Sequence, residues 1–398
     1  MARISSTLDQ GNDEVPDLVR AARRIVPEVL AVREEAEISR RIPESLAKNI
    51  SSAGLSQMFL PRSVGGPEAP PLVAFQAIEE LSKADGSVGW CSMIATDISL
   101  FTAWLEPEIV REMCGQPACL RAAGSLRPLG RAYPVDGGYC VKGQWNFASG
   151  IDNADWLYCP CVIMDGDNPQ SGPAGAPAVR AMWLPSNAAT IKDTWSVMGL
   201  RATGSQDFVV NDIIVPRNYT SSLAEAPYHK GPLFNPRMLL TFVFSLNAAH
   251  ALGIARGAMD GFAEMASQDA STASTALLRD RTLVQSCVGE AEAILNAARA
   301  YVVNAVGCAW AASREDATDP AQEIAQARLA IAHSVHEAAR VVNLLFHAAG
   351  TNAIYTRHPL ERQFRDIHVA EQHNAAFQAH YASAGKVLLG LRPSDPGW

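Results

Sequence analysis

The stretch Arg365-Asp366-Ile367-His368-Val369-Ala370-Glu371-Gln372-His373-Asn374 places two imidazoles, two carboxylates and a guanidinium within ten residues. An imidazole titrates near neutrality, so His368 or His373 can take the proton of a weakly acidic O–H or N–H, or hydrogen-bond a peroxide. Asn374 cannot remove a proton from carbon, because an amide nitrogen is not basic and its oxygen is only a weak acceptor. Glu371 is the one carboxylate close enough to be displaced into the role of base. Two other segments carry suitable groups. In Gly143-Gln144-Trp145-Asn146-Phe147-Ala148-Ser149-Gly150, strand alternation puts Trp145 and Phe147 on one face, where they can wall a flat ring. Ser149 and nearby backbone N–H groups can then reach that ring's polar edge. In Asp193-Thr194-Trp195-Ser196-Val197-Met198-Gly199-Leu200-Arg201-Ala202-Thr203-Gly204-Ser205, hydroxyls and amides clustered at a tight turn suit carbonyl and phosphate oxygens. Each segment also has a bland alternative: Trp-x-Phe as sheet core, the Ser/Thr/Gly run as a surface turn, either histidine as a cap or interface group.

The elements that must position these groups fall into three regions. From about Asp13 to Gly115 the pattern is helical: Val15, Leu18, Val19, Ala22, Ile25, Val26 and Val29 recur at three- and four-residue spacing. Pro43 can open the next helix, the loop Pro61 to Pro71 breaks the pattern, and further helices are expected over Leu72–Ala84 and from Ser87 through Trp104. From Leu120 to Arg217 turn signals such as Asp136-Gly137-Gly138 separate strands expected at 139–147, 156–164, 179–184 and 208–215. From Leu239 to Leu391 long amphipathic helices are expected at 239–267, 276–313, 320–349 and 359–390, which implies a four-helix bundle. The fold class is therefore α+β, mainly α, with a helical domain over 1–118, a β domain over 119–225 and a helical bundle over 226–398.

Composition excludes several functions. With 398 residues, 48% hydrophobic and 19% charged, the chain can bury a large core. A net charge of −8 and no Lys/Arg run longer than two argue against nucleic-acid and anionic-membrane partners. No stretch approaches the ~18 uninterrupted apolar residues of a membrane span, and Met1–Pro16 lacks the basic-then-apolar pattern of a secretion signal. A cytoplasmic location is expected, with the eight cysteines as free thiols. Cys159 and Cys161 share a strand face and read as packing. No metal is expected: His333-x-x-His336 followed by Glu337 lacks the Glu-x-x-His pairs of a di-iron bundle. There is no G-x-G-x-x-G, P-loop or G-x-S-x-G elbow.

Helical–β–helical order together with these segments resembles the acyl-CoA dehydrogenase superfamily. The Trp-x-Phe-x-Ser-Gly and Gly-Leu-Arg-x-Thr-Gly-Ser forms are similar to its oxygenase branch, the two-component flavin monooxygenases that hydroxylate phenols, such as 4-hydroxyphenylacetate and steroid-ring hydroxylases. Counting from Arg365-Asp366, many dehydrogenases place their catalytic glutamate where Asn374 stands. The alternative slot, on an early helix of the bundle, falls near Val243, and 237–250 contains no carboxylate. The resemblance thus implies an oxygenase that uses reduced FAD (or FMN) and O₂ through a C4a-hydroperoxyflavin, with a separate NAD(P)H-dependent flavin reductase and a homotetrameric assembly. Carried over, it assigns flavin contacts to Trp145, Phe147, Ser149, Thr203, Gly204 and Ser205. His373 becomes the favoured base with His368 as its support, Ser149 acts at flavin N5, and Trp90, Ser125, Phe242 and Asn374 line the site of a phenolic or indole-type substrate. The alternatives are an FAD-dependent acyl-CoA dehydrogenase, an N-hydroxylating flavin oxygenase, and a non-enzymatic helical scaffold. Phe346–Asn352 resembles the segment that reaches a neighbouring subunit's flavin diphosphate, with His347 in place of a small or apolar residue.

Overall fold

The computed structural model describes residues 17–115, 117–269, 276–315 and 319–393. Five helices come first: α1 (Leu18–Ser39), α2 (Glu44–Ser52), α3 (Pro71–Ala84), α4 (Gly86–Leu100) and α5 (Pro107–Cys114). The start expected near Asp13 lies outside the described residues, and α1 begins at Leu18, where the Asp17 carboxylate caps the Arg20 N–H. Asp85 caps α4 through the Ser87 and Val88 N–H groups. The helix expected to run through Trp104 ends at Leu100 and tightens into a 3₁₀ turn over Phe101–Trp104.

The middle of the chain forms one sheet. Its main path pairs β7 (Thr190–Lys192), β8 (Gln206–Pro216), β3 (Gly138–Ala148), β2 (Gly130–Val135), β4 (Trp156–Asp165), β6 (Val179–Pro185) and β9 (Thr220–Ser221) in that spatial order; β1 (Ala122–Gly124) and β5 (Asn168–Pro169) add to β4. The four long strands match the expected runs. The five shorter ones were not expected, because two to six residues carry too little alternation to register. Trp145 and Phe208 stack at 5.2 Å inside the sheet's own core. The indole lies over Gly130, where a Cβ would sit 2.1 Å from it. Cys159 and Cys161 are buried in the same core.

The last block holds α6 (Leu239–Gln268), α7 (Thr282–Arg314), α8 (Ala321–Ala349), α9 (Pro359–Ala370) and α10 (Ala379–Leu388). The segment expected as one helix over 359–390 is two helices, with a turn from Glu371 to Gln378 between them. That break exposes the histidine turn to the rest of the site. The helix expected from 276 starts at Thr282, after a 3₁₀ turn at Leu278–Asp280. By length and hydropathy (1.3 over its best window) α6 could cross a membrane, yet 89% of that window is buried among the other helices. It is the central helix of the core: α3, α4, α7, α8 and α9 all pack on it.

Candidate active site

Strand β3 delivers the first group. Its pairing with β8 slips between Trp145 and Ala148, a bulge that turns Phe147 into the left-handed region at φ 62°. The expectation that Trp145 and Phe147 share a face is therefore corrected. Trp145 is wholly buried with its indole N–H on the Pro160 carbonyl at 2.9 Å, so it cannot touch a ligand. Phe147 points outward, 57% exposed, and meets Trp195 edge-on at 6.3 Å. Phe147 is thus an aromatic residue held in a sparsely populated conformation and left facing solvent.

Beyond the bulge, Ser149 heads a directed chain of hydrogen bonds. Thr203 Oγ1 donates to the Leu200 carbonyl (2.8 Å), which can only accept. The Thr203–Ser205 contact at 2.7 Å must then be donated by Ser205, and the Ser205–Ser149 contact at 2.7 Å by Ser149. Trp90 Nε1 donates to Ser149 Oγ at 3.0 Å. All three hydroxyls are buried. With its proton committed to Ser205 and one lone pair taken by Trp90, Ser149 retains a second lone pair as an acceptor.

The 193–205 segment is clamped from both sides. The Gln206 side-chain carbonyl accepts the Thr194 and Trp195 N–H groups, at 2.8 and 2.9 Å. From α9, Arg365 donates to the Met198 carbonyl and the Asp366 carboxyl accepts the Leu200 N–H, each at 2.6 Å. The close approach requires Gly199, whose added Cβ would lie 2.3 Å from the Arg365 carbonyl oxygen. Leu200 itself is left-handed, φ 51°. Burial, reinforced by the Asp85 charge, lifts the Asp366 carboxyl to a pKa of about 8. The Arg-Asp pair is thus a staple that joins the hydroxyl-bearing turn to the helix carrying the histidine turn.

His373 follows the end of α9 and accepts the Ala375 N–H at Nδ1 (3.3 Å). Its ring meets Trp90 at 5.6 Å and Phe244 at 6.1 Å, both edge-on. Trp90 also meets His250 at 5.1 Å, and Phe244 meets His380 at 5.8 Å. Phe244, on α6, further carries the Arg328 guanidinium 4.7 Å above its ring. Burial, together with neighbouring His250 and His380, pushes the His373 imidazole down to about 4. Burial does the same to His250, also to about 4, against a Gly86 hydrogen bond that acts the other way. Both rings are neutral at physiological pH; in His373 the one lone pair is Nδ1, already on the Ala375 N–H, so Nε2 carries the proton and taking a second one displaces that contact.

The remaining expected residues scatter. His368 does not support His373: its ring turns to α8, with Nε2 on the Asn343 side-chain oxygen (3.1 Å) and Nδ1 on Glu371 (2.9 Å). The reason is geometric, since His368 is still inside α9 while His373 follows the helix end. Glu371 is held by the same contact. Phe242 is fully buried and packs edge-on to Trp310 at 5.5 Å, toward α7, so Phe244 is the α6 aromatic beside His373. Asn374 is exposed, and its backbone carbonyl rather than its amide meets a neighbour, His380 Nε2 at 2.8 Å. Ser125 follows β1 and accepts the Arg127 N–H at 3.3 Å. Gly204, left-handed at φ 50°, leaves no room for a side chain beside Asp152. His336 donates to the Ala376 carbonyl (2.9 Å) and His333 packs on Tyr301, so that pair is structural. Among the described residues no three His, Cys, Asp or Glu side chains converge as metal ligands. The reading of the sequence missed His250 and His380. Their only signal was a histidine within an otherwise apolar helix and another beyond the Arg365–Asn374 stretch.

Residues 12–105 match the acyl-CoA dehydrogenase N-terminal domain and residues 245–378 the acyl-CoA dehydrogenase C-terminal domain. Indole-3-acetate monooxygenase of Pseudomonas putida is 31% identical over 364 residues, covering 92% of this chain and 91% of that protein. The oxygenase component of an FADH₂-dependent resorcinol hydroxylase from Rhizobium is 27% identical, covering 95% and 93%. The crystal structure of the HsaA monooxygenase from M. tuberculosis superimposes with a TM-score of 0.85 at 26% identity, covering 96% and 99%. The chain belongs to the oxygenase subunits of two-component flavin-dependent aromatic monooxygenases, built on the acyl-CoA dehydrogenase fold.

Proposed function

We propose that this oxygenase hydroxylates a phenolic or indole-type ring, using FAD or FMN delivered in reduced form by a separate reductase, and that His373 is the group that holds or takes the substrate's proton. The observation that carries this reading is the enclosure of His373 by Trp90 and Phe244, with Ser149 bound to Trp90 on the other side. A neutral imidazole flanked by two aromatic rings suits an electron-rich, weakly acidic ring. Neither dehydrogenase base slot holds a carboxylate: Val243 is buried and apolar, Asn374 is an exposed amide, and the nearby Glu371 is bound to His368.

The residues present fit a flavin. Phe147 and Met198, 57% and 54% exposed, offer apolar surface on the two segments that flank the hydroxyl chain, and Asn146 Oδ1 is buried without a partner. When bound, the reduced cofactor supplies electrons and activates O₂. Ser149, as an acceptor, complements the N5–H that only the reduced ring carries. Thr203 and Ser205 orient Ser149 from behind, and Trp145 supports the strand from the core. Trp90 and Phe244 exclude water from the His373 side. Trp90 contacts both the Ser149 chain and His373, so the cofactor and substrate sides share one rigid wall. A homotetramer, as the family resemblance implies, completes the proposal.

The test is rapid mixing of protein loaded with reduced flavin against oxygenated buffer. Hydroxylase function predicts a delay before oxidised-flavin absorbance returns, and ¹⁸O from O₂ in hydroxylated indole or phenol. Immediate reoxidation with no labelled product from a panel of phenols and indoles would refute it.

A further inference from the structure

Thr241, Asn247 and His250 on α6 are buried with polar atoms that no protein group satisfies, and the last two lie beside the site. Both Oδ1 and Nδ2 of Asn247 lack partners although the residue is only 4% exposed. His250, fully buried, has an unpaired Nδ1. Its Nε2 lies 2.8 Å from the Gly86 carbonyl, which can only accept, so Nε2 carries the proton and Nδ1 is a bare lone pair. Folded proteins seldom leave a whole carboxamide unpaired in the interior, and such groups call for an explanation.

Their position supplies one. Phe244, Asn247 and His250 are spaced i, i+3, i+6 and share a face of the helix. Phe244 meets His373, His373 meets Trp90, and Trp90 meets His250. Asn247 therefore sits on the helix between the two ends of an aromatic arc that includes the proposed base. We propose that the Asn247 carboxamide, with His250 Nδ1 as a neighbouring acceptor, recognises a neutral O–H or N–H carried by the substrate ring. This rests on the aromatic-hydroxylation reading and goes further, to the feature of the ring that is read.

The complementarity selects among ligand types. A ring hydroxyl satisfies an acceptor with its proton and Asn247 Nδ2 with its oxygen; a ring N–H satisfies an acceptor alone. A carboxylate at this end could accept from Asn247 Nδ2 but has no proton for the His250 lone pair or the Asn247 oxygen, so the set favours a neutral donor over it. An aromatic with neither donor nor acceptor leaves every one of these atoms orphaned, and loss of a hydrogen-bond partner at a buried polar site discriminates strongly.

The experiment measures anaerobic binding of indole and of benzothiophene, which has the same bicyclic shape with sulfur in place of N–H, to the reduced-flavin-loaded protein and to its Asn247→Leu variant. Wild type is expected to favour indole by about tenfold or more. In Asn247→Leu that preference collapses to within about twofold while benzothiophene binds at least as well as before, and the unliganded variant melts no lower than wild type, since an orphaned amide has been removed. Asn247→Ala is measured alongside, and decides the matter if the leucine fails to fold. A preference for indole that survives both substitutions, or none in wild type, overturns this inference and leaves the hydroxylase reading intact. Failure of wild type to bind either probe or any phenol overturns both.

Discussion

Asp366 offers the most quantitative test of how the site is held together. Its carboxyl is 2% exposed and accepts the Leu200 N–H at 2.6 Å. Burial and the Asp85 charge raise its pKa from 3.8 to about 8, so the native state keeps a proton that the unfolded chain loses. Between these values the native state binds more protons, and stability falls as pH rises, at up to ~1.4 kcal/mol per pH unit. From pH 4 to pH 7 the accumulated cost is at most ~4 kcal/mol. Asp366→Asn keeps an acceptor for Leu200 and removes the titration, so its stability relative to wild type should climb steadily with pH. Asp366→Ala also removes the titration but leaves a buried N–H unpaired, so it should lie about 1–3 kcal/mol below Asp366→Asn at every pH. Urea unfolding of the three proteins at intervals from pH 5 to pH 8 measures both differences. A constant gap between wild type and Asp366→Asn would refute the buried-proton argument. Equal stability of the Asn and Ala variants would refute the staple.

Three further outcomes follow from the site. Ser149→Ala should weaken reduced-flavin binding by roughly tenfold, the worth of one buried hydrogen bond, while oxidised flavin, which has no N5–H, changes far less; anaerobic and aerobic titrations give both numbers. His373 and His250 have folded pKa values near 4, against 6.5 for the free ring, so the stability they contribute is present in full above pH 6.5 and is lost as pH falls toward 4. His373→Gln should therefore flatten the acid limb of the unfolding profile, and should cut product formed per flavin oxidised without loss of flavin binding. Trp145→Ala should cost about 3–5 kcal/mol as a core truncation, whereas Phe147→Ala should leave stability within about 0.5 kcal/mol and lower flavin affinity; thermal melts and flavin titrations of the pair check the corrected geometry of the strand.

Much of the fold was legible because long periodic segments announce themselves. The four long strands and the helices α6 and α8 stand where spacing put them, and the helical–β–helical order is a property of the whole chain. The Arg365–Asn374 stretch and the two Ser/Gly-rich segments were recognisable by residue type, and their grouping carried the family. What spacing could not decide was direction. A one-residue bulge before Ala148 sent Trp145 into the core and Phe147 outward, since any slip in a period of two exchanges faces. The end of α9 likewise separated His368 from His373, and local sequence carries no mark of which neighbour each ring will meet.

The sequence by itself determined the architecture, the absence of a carboxylate at either dehydrogenase slot, and the hydroxyls and imidazoles available for chemistry. Tertiary structure alone decided which of them work together. Trp90, Ser149, the α6 pair Asn247 and His250, and His373 come from four separate parts of the chain, and only tertiary packing brings Trp90 against Ser149, His250 and His373. Contact, burial and hydrogen-bond direction are properties of that gathering. They fix Ser149 as an acceptor, hold two imidazoles neutral and leave one amide waiting for a partner.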